Sequence, residues 1–177
     1  SNVTYYVPAI HMRVFSDDML SPISPDVPFQ DKLIEINLST QMLYAYEYGS
    51  LVFQTNISSG VPGDPTGGTG IPTTTPAGKF SILDKVPAKH MGYSYFGQQD
   101  NYILPGVPWS TFFFFFCHAF HGTYWHENFG SPMSHGCINM RTNEANWLFR
   151  WCSPIPLAPT IERVATRALG TAVAIHY

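Results

Sequence analysis

The chain has 177 residues, of which 45% are hydrophobic, 15% aromatic and 12% charged, with a formal net charge of −3. That length suits one domain with a sizeable core and leaves little room for a second. The charged share is about half the usual one, and with no basic patch nucleic acid is excluded as an expected partner. The run of five phenylalanines at 112–116 is far too short to span a bilayer and is predicted to be buried strand.

The chain opens Ser1-Asn2 without methionine, as a processed form or an added N-terminal scar would, so a signal peptide or anchor upstream would not be seen in it. Residues 1–30 mix aromatics with Pro22, Pro25 and Pro28 and show no period, which predicts an extended lead-in packed on a domain at 31–177. From Leu33 the pattern alternates: Ile34, Ile36 and Leu38 face one way, Glu35 and Asn37 the other. Residues 42–48 and 51–57 read as two further strands joined at Gly49-Ser50, a hairpin. Six glycines with Pro and Thr make 60–78 a long loop, and 79–83 resumes a strand.

Residues 84–110 read as a second irregular stretch, a lid loop rich in flat side chains (Tyr93, Tyr95, Tyr102, Trp109). Residues 111–120 are predicted to form one buried strand that delivers His121 to its end. Thr142 is placed to cap a helix over 143–151 with Glu144 in its first turn; Ala145, Leu148 and Cys152 then face the core, and Ser153-Pro154 stops it. Residues 170–175 read as a closing strand. About seven strands and one or two short helices predict a mainly β fold, a β-sandwich. Three cysteines (Cys117, Cys137, Cys152) leave at least one unpaired. A Cys117–Cys152 disulfide is conceivable, while two buried thiols acting as small hydrophobes is the commoner behaviour.

The chemistry concentrates in Ser134-His135-Gly136-Cys137, with His121-Gly122-Thr123 upstream. A thiol attacks as thiolate, and an imidazole is the usual device for removing its proton near neutral pH. Gly136 permits a tight turn in which successive N–H groups can point at an oxyanion beside the sulfur. Nucleophile, base and oxyanion donors can thus all come from residues 121–137, an acyl-transfer arrangement.

His121-Gly122-Thr123, Gly130 and Ser134-His135-Gly136-Cys137, in that order, resemble the signature of the L,D-transpeptidase catalytic domain, the cysteine enzymes that cross-link bacterial peptidoglycan. The hairpin from Lys32 to Tyr46, Ser59-Gly60 with Thr75-Pro76-Ala77-Gly78-Lys79-Phe80, and Gly170-Thr171 look like further landmarks of the family. The resemblance covers roughly residues 31–176. It implies a sandwich of that catalytic type with long aromatic-rich lid loops, Cys137 as nucleophile and His121 as general base, held by the Gly122 carbonyl. Amides of Gly136 and Cys137, with His135, would hold the oxyanion. It further implies peptidoglycan stem peptides as donor and acceptor, no cofactor, and an extracytoplasmic place of action for a monomer.

Many members carry Arg two positions after the cysteine, where this chain has Asn139, with Arg141 two further on. If the strand continues, both share a face and Arg141 could supply the charge; otherwise Asn139 serves through hydrogen bonds and Arg141 is a surface residue. Ser134 is expected to brace the turn. Trp125 and Tyr124 could line the acyl pocket. His118 and His126 carry no assigned role. Three rivals stay open: water in place of the acceptor amine, giving a carboxypeptidase or endopeptidase; a non-catalytic wall-binding module; and a zinc site among His118, His121, His126, His135 and Cys137. The spacing of that last group matches no familiar zinc pattern.

Overall fold

The computed structural model describes residues 4, 6, 14–63, 73–92, 103–114, 118–154 and 170–177. One sheet runs β3-β2-β1-β9-β4, from β1 (Lys32–Asn37), β2 (Met42–Glu47), β3 (Ser50–Asn56), β4 (Gly78–Ser81) and β9 (Ala172–His176). The other runs β5-β6-β7-β8, from β5 (Asp84–Gly92), β6 (Ile103–Phe114), β7 (His118–Gly122) and β8 (Ile138–Met140). Two helices, α1 (Asp17–Leu20) and α2 (Thr142–Trp151), and a 3-10 turn at Phe29–Asp31 complete the elements among the described residues. The fold is mainly β, as the pattern predicts. No helix among the described residues is long and apolar enough to cross a membrane.

The period-2 pattern of β1 does what it promises: Ile34 and Ile36 are fully buried. The hairpin turn sits one residue earlier than the sequence suggests. Tyr48 and Gly49 both take positive φ (50° and 78°), the combination that matches a two-residue loop to the strands' twist. Both sheets and α2 contribute to one core, with Ile34, Ile36 and Leu43 on one side, Phe113, Phe120, Ile138 and Met140 on the other, and Leu148, Phe149 and Trp151 from the helix.

Two buried lysines close the C-terminal end of α2, where unpaired carbonyls and the negative end of the helix dipole favour a cation. Lys85 Nζ donates to Phe149 O at 2.6 Å and to Cys152 O; Lys32 Nζ donates to Trp151 O at 2.8 Å and to Ser24 O at 2.9 Å. Burial lowers the pKa of both ammonium groups. Lys32, the Ile23 N–H to Arg150 O bond and the edge-on contact of Phe15 with Trp109 at 5.3 Å hold the end of the lead-in against the domain.

Three expectations are corrected. Residues 84–92 and 103–110 are not loop: they are paired strands of β5 and β6, and Trp109 is a core side chain. Tyr93, Tyr95 and Tyr102 lie outside the described residues. The strand predicted over 111–120 is two strands, since β6 ends at Phe114 and β7 starts at His118, antiparallel to it. Phe112 and Phe113 are buried as expected, while Phe115, Phe116 and Cys117 lie outside the described residues. Finally, α2 starts at Thr142 itself; Arg141 occupies the cap position and offers no side-chain cap bond. Ala145, Leu148 and Cys152 face the core as their spacing predicts, and Cys152 is a free thiol.

Candidate active site

The turn before β8 is shaped by one glycine and one hydroxyl. Gly136 has φ of 111°, a region that disfavours any side chain. Ser134 Oγ donates to Cys137 O and accepts the Gly136 N–H at 3.1 Å, closing the turn as expected of that serine. Residues 58–61 run alongside: Ser58 and Asn139 exchange backbone bonds at 2.8 and 3.0 Å, and Val61 N–H reaches Ser134 O at 2.9 Å. Gly60 lies so close beneath that a Cβ there would stand 2.8 Å from Gly136 Cα. Thr75 Oγ1 fastens the two strips, accepting the Gly60 N–H at 2.8 Å and donating to Gly136 O at 2.9 Å. Gln41 holds Ser59 from behind, at its N–H and its Oγ, both at 2.8 Å.

His121 arrives from β7, which runs parallel to β8 with His121 directly across from Asn139. Partners across a parallel pair share a face, so Asn139 and His121 belong to one face, and Cys137 lies in the turn immediately before β8. His121 is 3% exposed, and its Nδ1 lies 3.1 Å from Gly122 O. A carbonyl only accepts, so the ring proton sits on Nδ1 and Nε2 carries the lone pair. Burial brings the imidazole's pKa down to about 4, against the opposing pull of the Gly122 bond and helped by the nearby His126. The ring is therefore neutral at pH 7, a base with its basic atom fixed. Cys137 is a half-buried thiol outside any disulfide; the other described cysteine, Cys152, is fully buried and burial raises its pKa.

Residues 31–175 match the family of the L,D-transpeptidase catalytic domain (YkuD). The chain belongs to that family. Solved structures with the same fold include an L,D-transpeptidase from Xylanimonas cellulosilytica, 26% identical at a TM-score of 0.55, with 82% of this chain and 60% of that one covered. A mutant of the Enterococcus faecium L,D-transpeptidase is 23% identical at 0.58, with 82% and 50% covered. L,D-transpeptidase 3 of Mycobacterium tuberculosis, with a faropenem-derived adduct, is 17% identical at 0.61, with 83% and 60% covered. The chain thus spans 50–60% of the length of these three. No curated protein matches it.

Within this L,D-transpeptidase-type domain the remaining predicted residues separate. The Gly136 N–H is engaged by Ser134, so it can serve an oxyanion only as a shared donor. His135 is exposed. Trp125 is half-buried with its ring 5.7 Å from His121, whereas Tyr124 is exposed, packs edge-on to Trp125 at 4.8 Å and donates to Pro105 O at 2.8 Å. Because β8 stops at Met140, Arg141 does not share its face: it sits over the Phe129 ring at 4.7 Å and reaches Glu144 at 3.5 Å. Arg141 instead borders, with Thr123, Glu127 and Thr142, a cavity of about 520 Å³ at the start of α2. Asn139 is 2% exposed, with its side-chain amide 2.8 Å from His126 Nε2.

Sequence reasoning did not single out Thr75, Gln41 or His126 for these contacts. Asn139 between the apolar Ile138 and Met140 was the available signal, since a polar residue in a short buried strand must find a partner. Among the described residues no three His, Cys, Asp or Glu side chains gather closely enough to hold a metal ion.

Proposed function

We propose that this chain is the catalytic unit of an L,D-transpeptidase that works through a Cys137 thioester. The observation that carries the reading is His121: neutral, buried, pinned through Nδ1 to its own neighbour's carbonyl, and on the strand that pairs with the one Cys137 leads into. Such a ring takes the Cys137 proton on Nε2 as the sulfur attacks the carbonyl of the third residue in a donor stem tetrapeptide. The carbonyl π electrons move to oxygen, and the oxyanion is met by turn amides at Cys137, by His135, and by Gly136 as a shared donor. Each such donor is worth about 3–4 kcal/mol in the transition state. The C–N bond to the terminal D-alanine then breaks, and His121 returns its proton to that amine.

In the second half the side-chain amine of a neighbouring stem's diamino acid attacks the thioester. His121 removes the proton from the amine, the C–S bond breaks, and the thiol is restored with a cross-link formed. Substrate of this kind places the protein outside the cytoplasm, at the cell wall. A strained β-lactam carbonyl imitates the donor, and one mycobacterial protein of this fold was solved with a faropenem-derived adduct. Incubation with a tetrapeptide and an amine acceptor tests the reading. Released D-alanine with cross-linked product is expected; D-alanine with only tripeptide would make the enzyme a hydrolase, and no release from a folded protein would favour a wall-binding module.

A further inference from the structure

His126 belongs to neither sequence motif, yet its ring makes a polar contact through each nitrogen. Its Nδ1 lies 3.2 Å from the backbone N–H of Asn128. A backbone N–H only donates, so Nδ1 carries a lone pair and no proton, and the single N–H of a neutral imidazole stands on Nε2. Burial, the larger influence, lowers the His126 pKa, in keeping with a neutral ring. Nε2 lies 2.8 Å from the side-chain amide of Asn139. An N–H in that place requires an oxygen opposite it. The two ends of an asparagine amide are alike in shape, and their hydrogen bonds decide which is which. Asn139 Oδ1 therefore faces His126, and the N–H2 takes the other position, which is buried and has no partner. Asn139 stands directly across from His121 and two residues beyond Cys137.

We infer that His126 is a positioning residue: it orients the Asn139 amide so that this side chain offers a donor, not an acceptor, two residues beyond the nucleophile. The group it would meet is a carbonyl oxygen of the peptide that acylates Cys137. An arginine at this position donates in every rotamer, whereas an asparagine can donate or accept until a neighbour decides. Here the Asn128 amide fixes the proton on His126, and His126 fixes the amide of Asn139.

The kinetic consequence rests on the proposed acyl transfer, but the orientation does not, and the two are tested apart. In the ¹⁵N-labelled protein at neutral pH, long-range ¹H–¹⁵N spectra should show His126 protonated on Nε2 and bare on Nδ1. A proton on Nδ1, in a neutral or a charged ring, would overturn the inference. In turnover of a tetrapeptide donor, His126→Phe should raise KM about tenfold with little change in kcat, the pattern of a contact made equally in ground and transition states. His126→Gln keeps a side-chain N–H for Asn139 Oδ1 and should recover most of that loss. Unchanged KM in His126→Phe, or His126→Gln no better than it, would overturn the inference. Absence of turnover in the wild type would sink the transpeptidase reading alone, leaving the spectrum to decide His126.

Discussion

Full burial holds the His121 imidazole at about 4, against 6.5 in a free side chain, and two pH effects follow. Its base form persists to low pH, so the acid limb of kcat/KM for acylation is expected near pH 4; a limb near 6.5 would show a ring that is not buried in the working enzyme. Between these values the unfolded chain binds a proton that the native one refuses. Stability from this residue is therefore complete above pH 6.5 and falls as the pH drops towards 4, by up to about 3 kcal/mol. Urea titrations of wild type and His121→Gln across that window should converge as the pH falls. His121→Ala should slow acylation by about 10²–10⁴-fold; normal acylation would move the base role to His135.

At the scale of elements, the Cys137 turn depends on the strip at 58–61. A methyl group on Gly60 would stand 2.0 Å from Thr73 O as well as against Gly136, so Gly60→Ala must push the two strips apart. A loss of about 1–3 kcal/mol in thermal or urea unfolding is expected, with slower acylation of Cys137; unaltered stability would mean that the strips are not packed as described. Lys85→Met leaves the Phe149 and Cys152 carbonyls without their donor and should cost about 2–3 kcal/mol in urea unfolding. Strand alternation at 34–38 was legible because Glu35 and Asn37 alternate with the apolar Ile34, Ile36 and Leu38. Residues 84–110 were not, because Pro87, Pro105 and Pro108 argue against strand. The structure tolerates them where only one side of the strand is paired: β5 is an edge, and β7 pairs β6 only from Thr111 onward. The phenylalanine run hid a strand end because it contains no turn residue.

For the whole molecule, the proposed catalytic pair could be picked out because both members stand in short local motifs, Gly136 for the turn and Gly122 for the carbonyl that holds His121. Thr75 and Gln41 were not, since their partners lie across long gaps in the chain and only the folded sandwich brings 41, 59, 75 and 136 together. The same holds for His126, whose partner Asn139 comes from another strand. All of these contacts lie around the turn and strand that carry Cys137, and a covalent intermediate on its thiol is the central claim. Intact-protein mass spectrometry after incubation with a carbapenem, and separately with a tetrapeptide stem, measures that intermediate directly in wild type and Cys137→Ala. The account predicts a single adduct with each reagent on the wild type and none on the folded variant. An adduct that survives Cys137→Ala, or none on the folded wild type, would contradict it.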